Sequence, residues 1–116
     1  MAMRFSYIGE LGPGDRLDWG EAGGGNIPVA NHLPESGDLS LYLAIARLAV
    51  DGQYEGGIVD YDAYGLKVNG RDIRRIIEDC YASEPGRLQG PVVAQYLAFA
   101  DSLPPDKFVA LIAYAV

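Results

Sequence analysis

The distribution of glycine constrains the fold of this chain more than any other feature of its sequence. Thirteen of the 15 glycines lie within the first 70 of the 116 residues. Glycine adopts backbone conformations that other residues avoid, and it weakens the interiors of helices and strands. We therefore expect the first part of the chain to be rich in turns and the remainder to be regular.

The sequence pattern in the N-terminal part of the chain predicts short elements that are separated by turns. Apolar and polar residues alternate from Met3 to Tyr7, which predicts an opening strand that ends at Gly9. The segment Arg16–Trp19 predicts a second short strand. A long irregular connection, Gly20–Pro34, contains three consecutive glycines, and we expect it to be the most mobile internal part of the chain.

Two elements are predicted between this connection and residue 69. Leu39–Val50 is almost wholly apolar, and the side chain of Asp38 can accept a hydrogen bond from the first helical turn. This predicts a helix that is mostly buried, with one thin solvent-exposed edge. Gly57–Tyr64 alternates in the manner of a single strand, and Leu66–Val68 can extend the sheet after a bend at Gly65.

The second part of the chain contains the clearest helical signal. Apolar side chains recur there at positions i, i+3, i+4, i+7 and i+8, namely Ile73, Ile76, Ile77, Cys80 and Tyr81. This spacing predicts a helix from Gly70 to Ala82. Asn69 and Asp72 have the spacing of a capping box at its start. Pro91 suits the first turn of a third helix, because its missing N–H group would have no helical partner there.

The last segment, residues 107–116, is apolar on both faces. That pattern is typical of a central strand, although its three alanines leave a terminal helix open. The order of elements predicts an α+β fold: a two-layer sandwich with one small, mostly antiparallel sheet of about three to five strands, packed against three helices. Residues 1–116 form a single domain in this prediction.

The charge of the chain limits its partners. The net charge is −7, and residues 1–66 hold ten acidic residues against three basic ones, whereas residues 67–116 hold six of each. Binding to nucleic acid or to anionic lipid depends on clustered Lys and Arg, so neither is expected as a partner. The longest apolar run is far shorter than the ~20 residues that span a membrane.

Cysteine usage and the N-terminal residues indicate a compartment. The single cysteine, Cys80, cannot form an internal disulfide, and no apolar run of the signal-peptide kind follows Met1. We therefore expect a cytoplasmic protein of bacterial or phage origin. Because Cys80 belongs to the apolar stripe of its helix, we expect its thiol to be buried and unreactive.

Motifs for catalysis, metals or cofactors are weak in this sequence. Asp60-Tyr-Asp-Ala-Tyr-Gly65 begins like an EF-hand loop but lacks its remaining oxygen ligands. Gly23-Gly24-Gly25 lacks the Lys and Ser or Thr of a phosphate-binding loop. His32 and Cys80 are the only pair that resembles a base and a nucleophile. The sequence predicts no catalytic residues, no metal site and no cofactor, and it leans against an enzyme.

Three arginines at the start of the second helix allow two interpretations. Arg71, Arg74 and Arg75 could bind an anion, or they could pair along the helix as Arg74–Glu78 and Arg75–Asp79, both at i, i+4. We favour intrahelical pairing, because such pairs are common on solvated helix faces. Anion binding by these arginines remains open at this point.

Tyrosine and acidic residues are interleaved in one stretch that has no basic residue between Arg47 and Lys67. Tyrosine is frequent at protein interfaces because it buries a large area and keeps a polar group, and carboxylates pair with Arg and Lys. The predicted binding residues are Asp51, Glu55, Asp60, Tyr61, Asp62 and Tyr64. An acidic, aromatic face of this kind is suited to a basic protein partner.

The leading functional hypothesis is therefore a small acidic binding protein without catalytic activity. Inhibitors and immunity-type proteins that neutralise a basic partner share this size and charge, and the comparison extends no further. The alternative is a domain that binds a small molecule in an aromatic-lined pocket under the glycine-rich connection. A homodimer is also compatible with the sequence.

Overall fold

A computed structural model describes residues 3–11, 33, 35–60 and 63–115 of the chain. The predicted strand Arg16–Trp19 and the connection Gly20–Pro34, except for Leu33, lie outside the described residues. The order of elements is β1 (Arg4–Gly9), α1 (Leu39–Asp51), β2 (Glu55–Asp60), β3 (Ala63–Val68), α2 (Gly70–Cys80), a 3-10 helix (Pro85–Gln89), α3 (Pro91–Ser102) and β4 (Val109–Ala115).

The four strands form one sheet in the order β1-β4-β3-β2, and every neighbouring pair is antiparallel. With three α-helices on this sheet, the predicted α+β sandwich is confirmed. β4 is a central strand, so the prediction of a C-terminal strand is confirmed. Its side chains are buried on both faces of the sheet, from Val109 through Ala113, which explains why the segment shows no alternation of polar and apolar residues.

The strand predicted at Gly57–Tyr64 is in fact two strands. β2 ends at Asp60, the chain reverses, and β3 begins at Ala63 with Asp60 opposite Ala63. Gly65, which was expected at a bend, lies inside β3 and pairs with Gly57 on one side and Ile112 on the other. The prediction failed because a tight antiparallel reversal leaves the alternation of side chains almost unbroken.

Both of the predicted caps are present. The side chain of Asp38 accepts a hydrogen bond of 2.9 Å from the backbone N–H of Ser40, at the start of α1. At the start of α2, Asn69 and Asp72 exchange side-chain and backbone hydrogen bonds as a capping box. These bonds satisfy N–H groups that have no partner within the helix.

The main hydrophobic core lies between the sheet and the helices. α1 packs against the sheet, and α2 packs mainly against α3. Tyr81 and Tyr96 are the largest side chains that are almost fully buried there. The hydroxyl of Tyr96 donates a 3.0 Å hydrogen bond to the backbone oxygen of Ser6 in β1, which lets a polar group be buried without loss of its partner.

A second, smaller cluster of buried residues lies on the other face of the sheet. Its members are Tyr7, Leu11, Ala63, Ala110 and Ile112. Tyr114 packs against this cluster, and its ring meets that of Tyr7 edge-on at a centroid distance of 5.7 Å. Among the described residues, no helix is both long and apolar enough to cross a membrane.

Candidate functional site

The outer side of α1 carries large apolar side chains. Leu39, Leu43 and Val50 expose 48%, 48% and 67% of their surface. Their spacings of four and seven residues place them on one stripe of the helix. The inward side is formed by the buried residues Leu41, Tyr42, Ile45 and Ala49. The prediction of one thin exposed edge is therefore wrong, because only one side of α1 faces the sheet.

A further exposed apolar side chain lies on β2. Ile58 is 60% exposed and stands opposite Tyr64, so the two side chains share one face of the sheet. That face is the one on which α1 packs, since the ring of Tyr64 meets Tyr42 edge-on at 6.3 Å between centroids. We refer to four residues together as the α1–β2 surface: Leu39, Leu43, Val50 and Ile58.

The backbone of β2 is irregular at this exposed edge of the sheet. Gly56 and Gly57 have φ angles of 131° and 152°, which side chains rarely tolerate. A Cβ atom on Gly56 would lie 2.1 Å from the backbone oxygen of Gly65. The register with β3 also shifts between Ile58 and Asp60. Irregularities of this kind discourage another strand from pairing with an open edge.

One acidic residue of the predicted face, Glu55, lies on the other side of the sheet from Tyr64. Asp51 is exposed at the end of α1. Glu55 pairs with Lys67 across β2 and β3 at 3.4 Å, and the ammonium group of Lys67 also lies 5.5 Å from the centre of the Phe108 ring. Glu55 therefore lies on the sheet face opposite to Tyr64, because neighbouring strand positions alternate between faces.

The other members of the predicted set are placed only in part. Tyr64 is half-buried beside Tyr42, whose ring also lies 5.7 Å from the guanidinium carbon of Arg4. Asp60 is the last residue of β2. Tyr61 and Asp62 lie outside the described residues, between β2 and β3. Sequence reasoning selected the acidic residues of this region but missed its exposed apolar ones, because it treated α1 as buried.

A cleft of about 240 Å³ lies between α1 and α2. Its lining residues are Ala44, Arg47, Leu48, Gln53, Tyr54, Arg75, Ile76, Asp79 and Cys80. Cys80 was expected to be buried but is only half-buried, because it lines this cleft. Its partial burial, together with the charge of Asp38, raises the pKa of its thiol. A raised pKa keeps more of the thiol protonated. His32, the suggested base, lies outside the described residues.

The arginines of α2 differ in their partners. Arg74 forms the expected ion pair with Glu78, at 3.9 Å, and is bound more closely by Asp101, with 2.9 Å from Nε to Oδ1. This hydrogen bond holds the pKa of Asp101 below its usual value. The expected pair between Arg75 and Asp79 is absent. Arg75 instead lines the α1–α2 cleft.

Arg87 occupies a different environment, in the 3-10 helix that precedes α3. Its Nη2 lies 2.6 Å from Oδ2 of Asp38, which also accepts a 2.5 Å hydrogen bond from the hydroxyl of Tyr81. A shallow depression of about 310 Å³ opens beside it, lined by Ser36, Asp38, Gly86, Arg87, Gly90, Pro91, Val92 and Val93. Because Asp38 already neutralises Arg87, this network ties α1, α2 and the 3-10 helix together rather than offering a free charge.

Within the described part of the chain, no group of three or more His, Cys, Asp or Glu side chains is arranged to hold a metal ion. Comparison of the chain with protein-family models, with curated protein sequences and with solved structures found no match. The candidate sites therefore rest on the geometry of this chain alone.

Proposed function

We propose that this protein is a non-catalytic binding protein that uses the α1–β2 surface and the acidic residues around it to hold a basic protein partner. The observation that carries the proposal is the exposed apolar stripe of α1. A helix that keeps two leucines and a valine in contact with solvent loses the stabilisation of about 25 cal/mol for each Å² that burial would provide. A partner that covers the stripe would recover it.

The composition around the stripe supports a basic partner. Between residues 39 and 66 the chain has four acidic residues, Asp51, Glu55, Asp60 and Asp62, and only one basic residue, Arg47. Glu55 is paired with Lys67 on the other face of the sheet, so the proposal uses Asp51, Asp60 and Asp62. Protein interfaces commonly have an apolar centre with a polar rim. An apolar patch bordered by Lys and Arg on the partner would complement this arrangement, and the opposite charges would accelerate association at low salt.

A second copy of the chain is a less suitable occupant of this surface. Each copy carries a net charge of −7, so the approach of two acidic faces is opposed by charge repulsion. The irregular backbone of β2 also disfavours the joining of two sheets edge to edge. The partner is therefore expected to bind by side-chain packing on α1 and β2.

Site-specific photo-crosslinking in the native host tests this proposal. A photoreactive residue is placed at Leu43 or Ile58, and a matched control at Glu84, which is exposed outside the surface. We expect the first two positions to capture the same protein and the control position not to capture it. The captured segment should carry an excess of Lys and Arg. Capture of a second copy of this chain, or equal capture from all three positions, would contradict the proposal.

Binding of the purified partner then tests the separate contributions of packing and charge. The change Leu43→Gln should weaken binding by about tenfold, because it places a polar side chain at the proposed centre of the interface, where the residues that dominate binding cluster. Changing Asp51, Asp60 and Asp62 to Asn should slow association and reduce its dependence on salt. An affinity that does not change with salt would remove the charge part of the proposal.

The alternative, a small-molecule pocket under the glycine-rich connection, depends on Gly20–Pro34, which lies outside the described residues apart from Leu33. No contact of the described residues favours that pocket. It therefore stays a prediction from the sequence, and the crosslinking experiment does not depend on it.

A further inference from the structure

The cleft between α1 and α2 is separate from the α1–β2 surface. On α1 it is lined by Ala44, Arg47 and Leu48, whereas the exposed stripe contains Leu39, Leu43 and Val50. At 100° per residue, Ala44 and Leu48 lie about 100° or more from the exposed stripe, and Arg47 lies between the two sets, about 40° from Leu43. A ligand in the cleft and a partner on the stripe would therefore have only the bordering residue Arg47 in common.

Two arginines line the cleft, and within the described part of the chain neither forms an ion pair. Arg47 comes from α1 and Arg75 from α2. Two other arginines differ from them: Arg74 is paired with Asp101, and Arg87 with Asp38. Two positive charges beside one cleft repel each other, and an anion between them would relieve that repulsion.

The remaining lining residues describe what such an anion would look like. Ala44, Leu48 and Ile76 provide apolar surface, and Tyr54 adds an aromatic ring. Gln53 supplies an amide that can donate or accept a hydrogen bond. The volume of about 240 Å³ is slightly below the roughly 300–1,000 Å³ of pockets for drug-sized ligands. The ligand is therefore small, with a charged head and an apolar body.

We propose that the α1–α2 cleft binds a small organic anion, a carboxylate or a phosphate monoester attached to an apolar body, with Arg47 and Arg75 holding the charged head. Arginine suits this role because its planar group donates two parallel hydrogen bonds to a carboxylate or phosphate. Asp79 also lines the cleft, so the net charge of the lining is positive by one. This positive site occurs in a chain whose overall charge is −7.

The only cysteine of the chain provides a direct reporter, because Cys80 lines the same cleft. The experiment measures the rate at which native protein reacts with a thiol reagent while phenyl phosphate or benzoate is added. We expect the rate to fall in a saturable way with either probe. Their relative affinities show whether the site prefers phosphate or carboxylate. Benzamide, which has the apolar body without the charge, should protect much less.

Variants connect this protection to the two arginines. Arg47→Gln and Arg75→Gln should each weaken binding of the better probe by about tenfold, since each removes a charge-assisted hydrogen bond. Arg71→Gln is the matched control, because Arg71 is exposed on the same helix and does not line the cleft. It should bind the probe as the unmodified chain does.

Three results would overturn the inference. One is a labelling rate that neither probe changes at millimolar concentration. Another is equal protection by benzamide, which would show that charge does not matter. The third is an equal loss of binding in the Arg71→Gln control, which would indicate a general effect of surface charge. None of these results bears on crosslinking from Leu43, so the failure of this inference is distinguishable from the failure of the proposed function.

Discussion

The inward and outward sides of α1 have similar residues but differ in their burial. Leu41 and Ile45 are almost completely buried against the sheet, whereas Leu43 and Val50 are largely exposed. Both sides repeat with helical spacing, and both contain large aliphatic side chains. The comparison teaches that an apolar stripe on a helix marks a surface suited to packing, and that tertiary structure decides whether this chain or a partner covers it.

Truncation of one residue on each side of α1 should give the largest contrast in stability. Ile45→Ala removes a fully buried side chain and should lower the free energy of unfolding by about 2–5 kcal/mol. Leu43→Ala should change it by no more than about 1 kcal/mol, since half of that side chain already contacts water. Urea unfolding of both variants provides the measurement. Similar losses in the two variants would mean that the outer stripe is buried within the chain.

The contact between α2 and α3 should leave no room for an additional methyl group. Gly70→Ala should lower the free energy of unfolding by about 1–3 kcal/mol, because the new Cβ would lie 2.1 Å from the backbone oxygen of Ala100 in α3. Gly86→Ala is the control, because its Cβ would meet no atom within 4 Å. Thermal unfolding of the two variants compares them. A stable Gly70→Ala variant would show that the contact between α2 and α3 is loose.

Because Tyr96 is buried, the stability of the protein should fall at alkaline pH. Burial raises the pKa of Tyr96 from its ordinary value of 10.0 to about 12, so its stabilising contribution is complete below pH 10 and is lost as the pH rises through about 12. Tyr96→Phe should cost about 1 kcal/mol at neutral pH through the lost hydrogen bond to Ser6. The variant should then lose less stability than the unmodified chain between these pH values. Urea unfolding at several alkaline pH values checks this, and parallel curves for the two proteins would contradict it.

The smallest effect is expected at the exposed ion pair between Arg74 of α2 and Asp101 of α3. Arg74→Gln should lower the melting temperature slightly, and the difference should shrink as salt rises. The pKa of Asp101 should return upward toward its ordinary value, because the hydrogen bond from Arg74 lowers it. In the unmodified chain, the stability that this ion pair contributes is present above the ordinary pKa of an aspartate and is lost as the pH falls through the lowered pKa of Asp101. NMR titration of Asp101 measures the shift, and an unchanged pKa would contradict the assignment.

Elements whose signals are local were predictable from the sequence. The caps at Asp38 and Asn69 depend on residues two or three positions away, and the periodicity of α2 lies within 11 residues. The C-terminal strand was predicted because a central strand is apolar on both faces. The reversal between Asp60 and Ala63 was missed, since the alternation of side chains continues through it.

The candidate sites depend on interactions that are distant in the sequence. The cleft unites Arg47 and Arg75, which come from different helices, and nothing in the local sequence indicates that Arg75 and Asp79 form no ion pair. Glu55 is neutralised by Lys67 only because β2 and β3 pair in a particular register. An acidic run in the sequence is therefore not the same as an acidic face on the protein.

The sequence by itself determined where helices begin, which segments alternate, and that one small sheet and three helices have enough apolar surface to form one sandwich. Backbone hydrogen bonds and the period of the side chains involve residues that are only a few positions apart, so both can be recognised in the sequence. Only the tertiary structure decided which side of α1 is covered and which arginines remain without a carboxylate. Whether a side chain is buried or paired with an opposite charge depends on residues that are distant in the sequence. The positions of those residues are fixed only when the whole chain has packed.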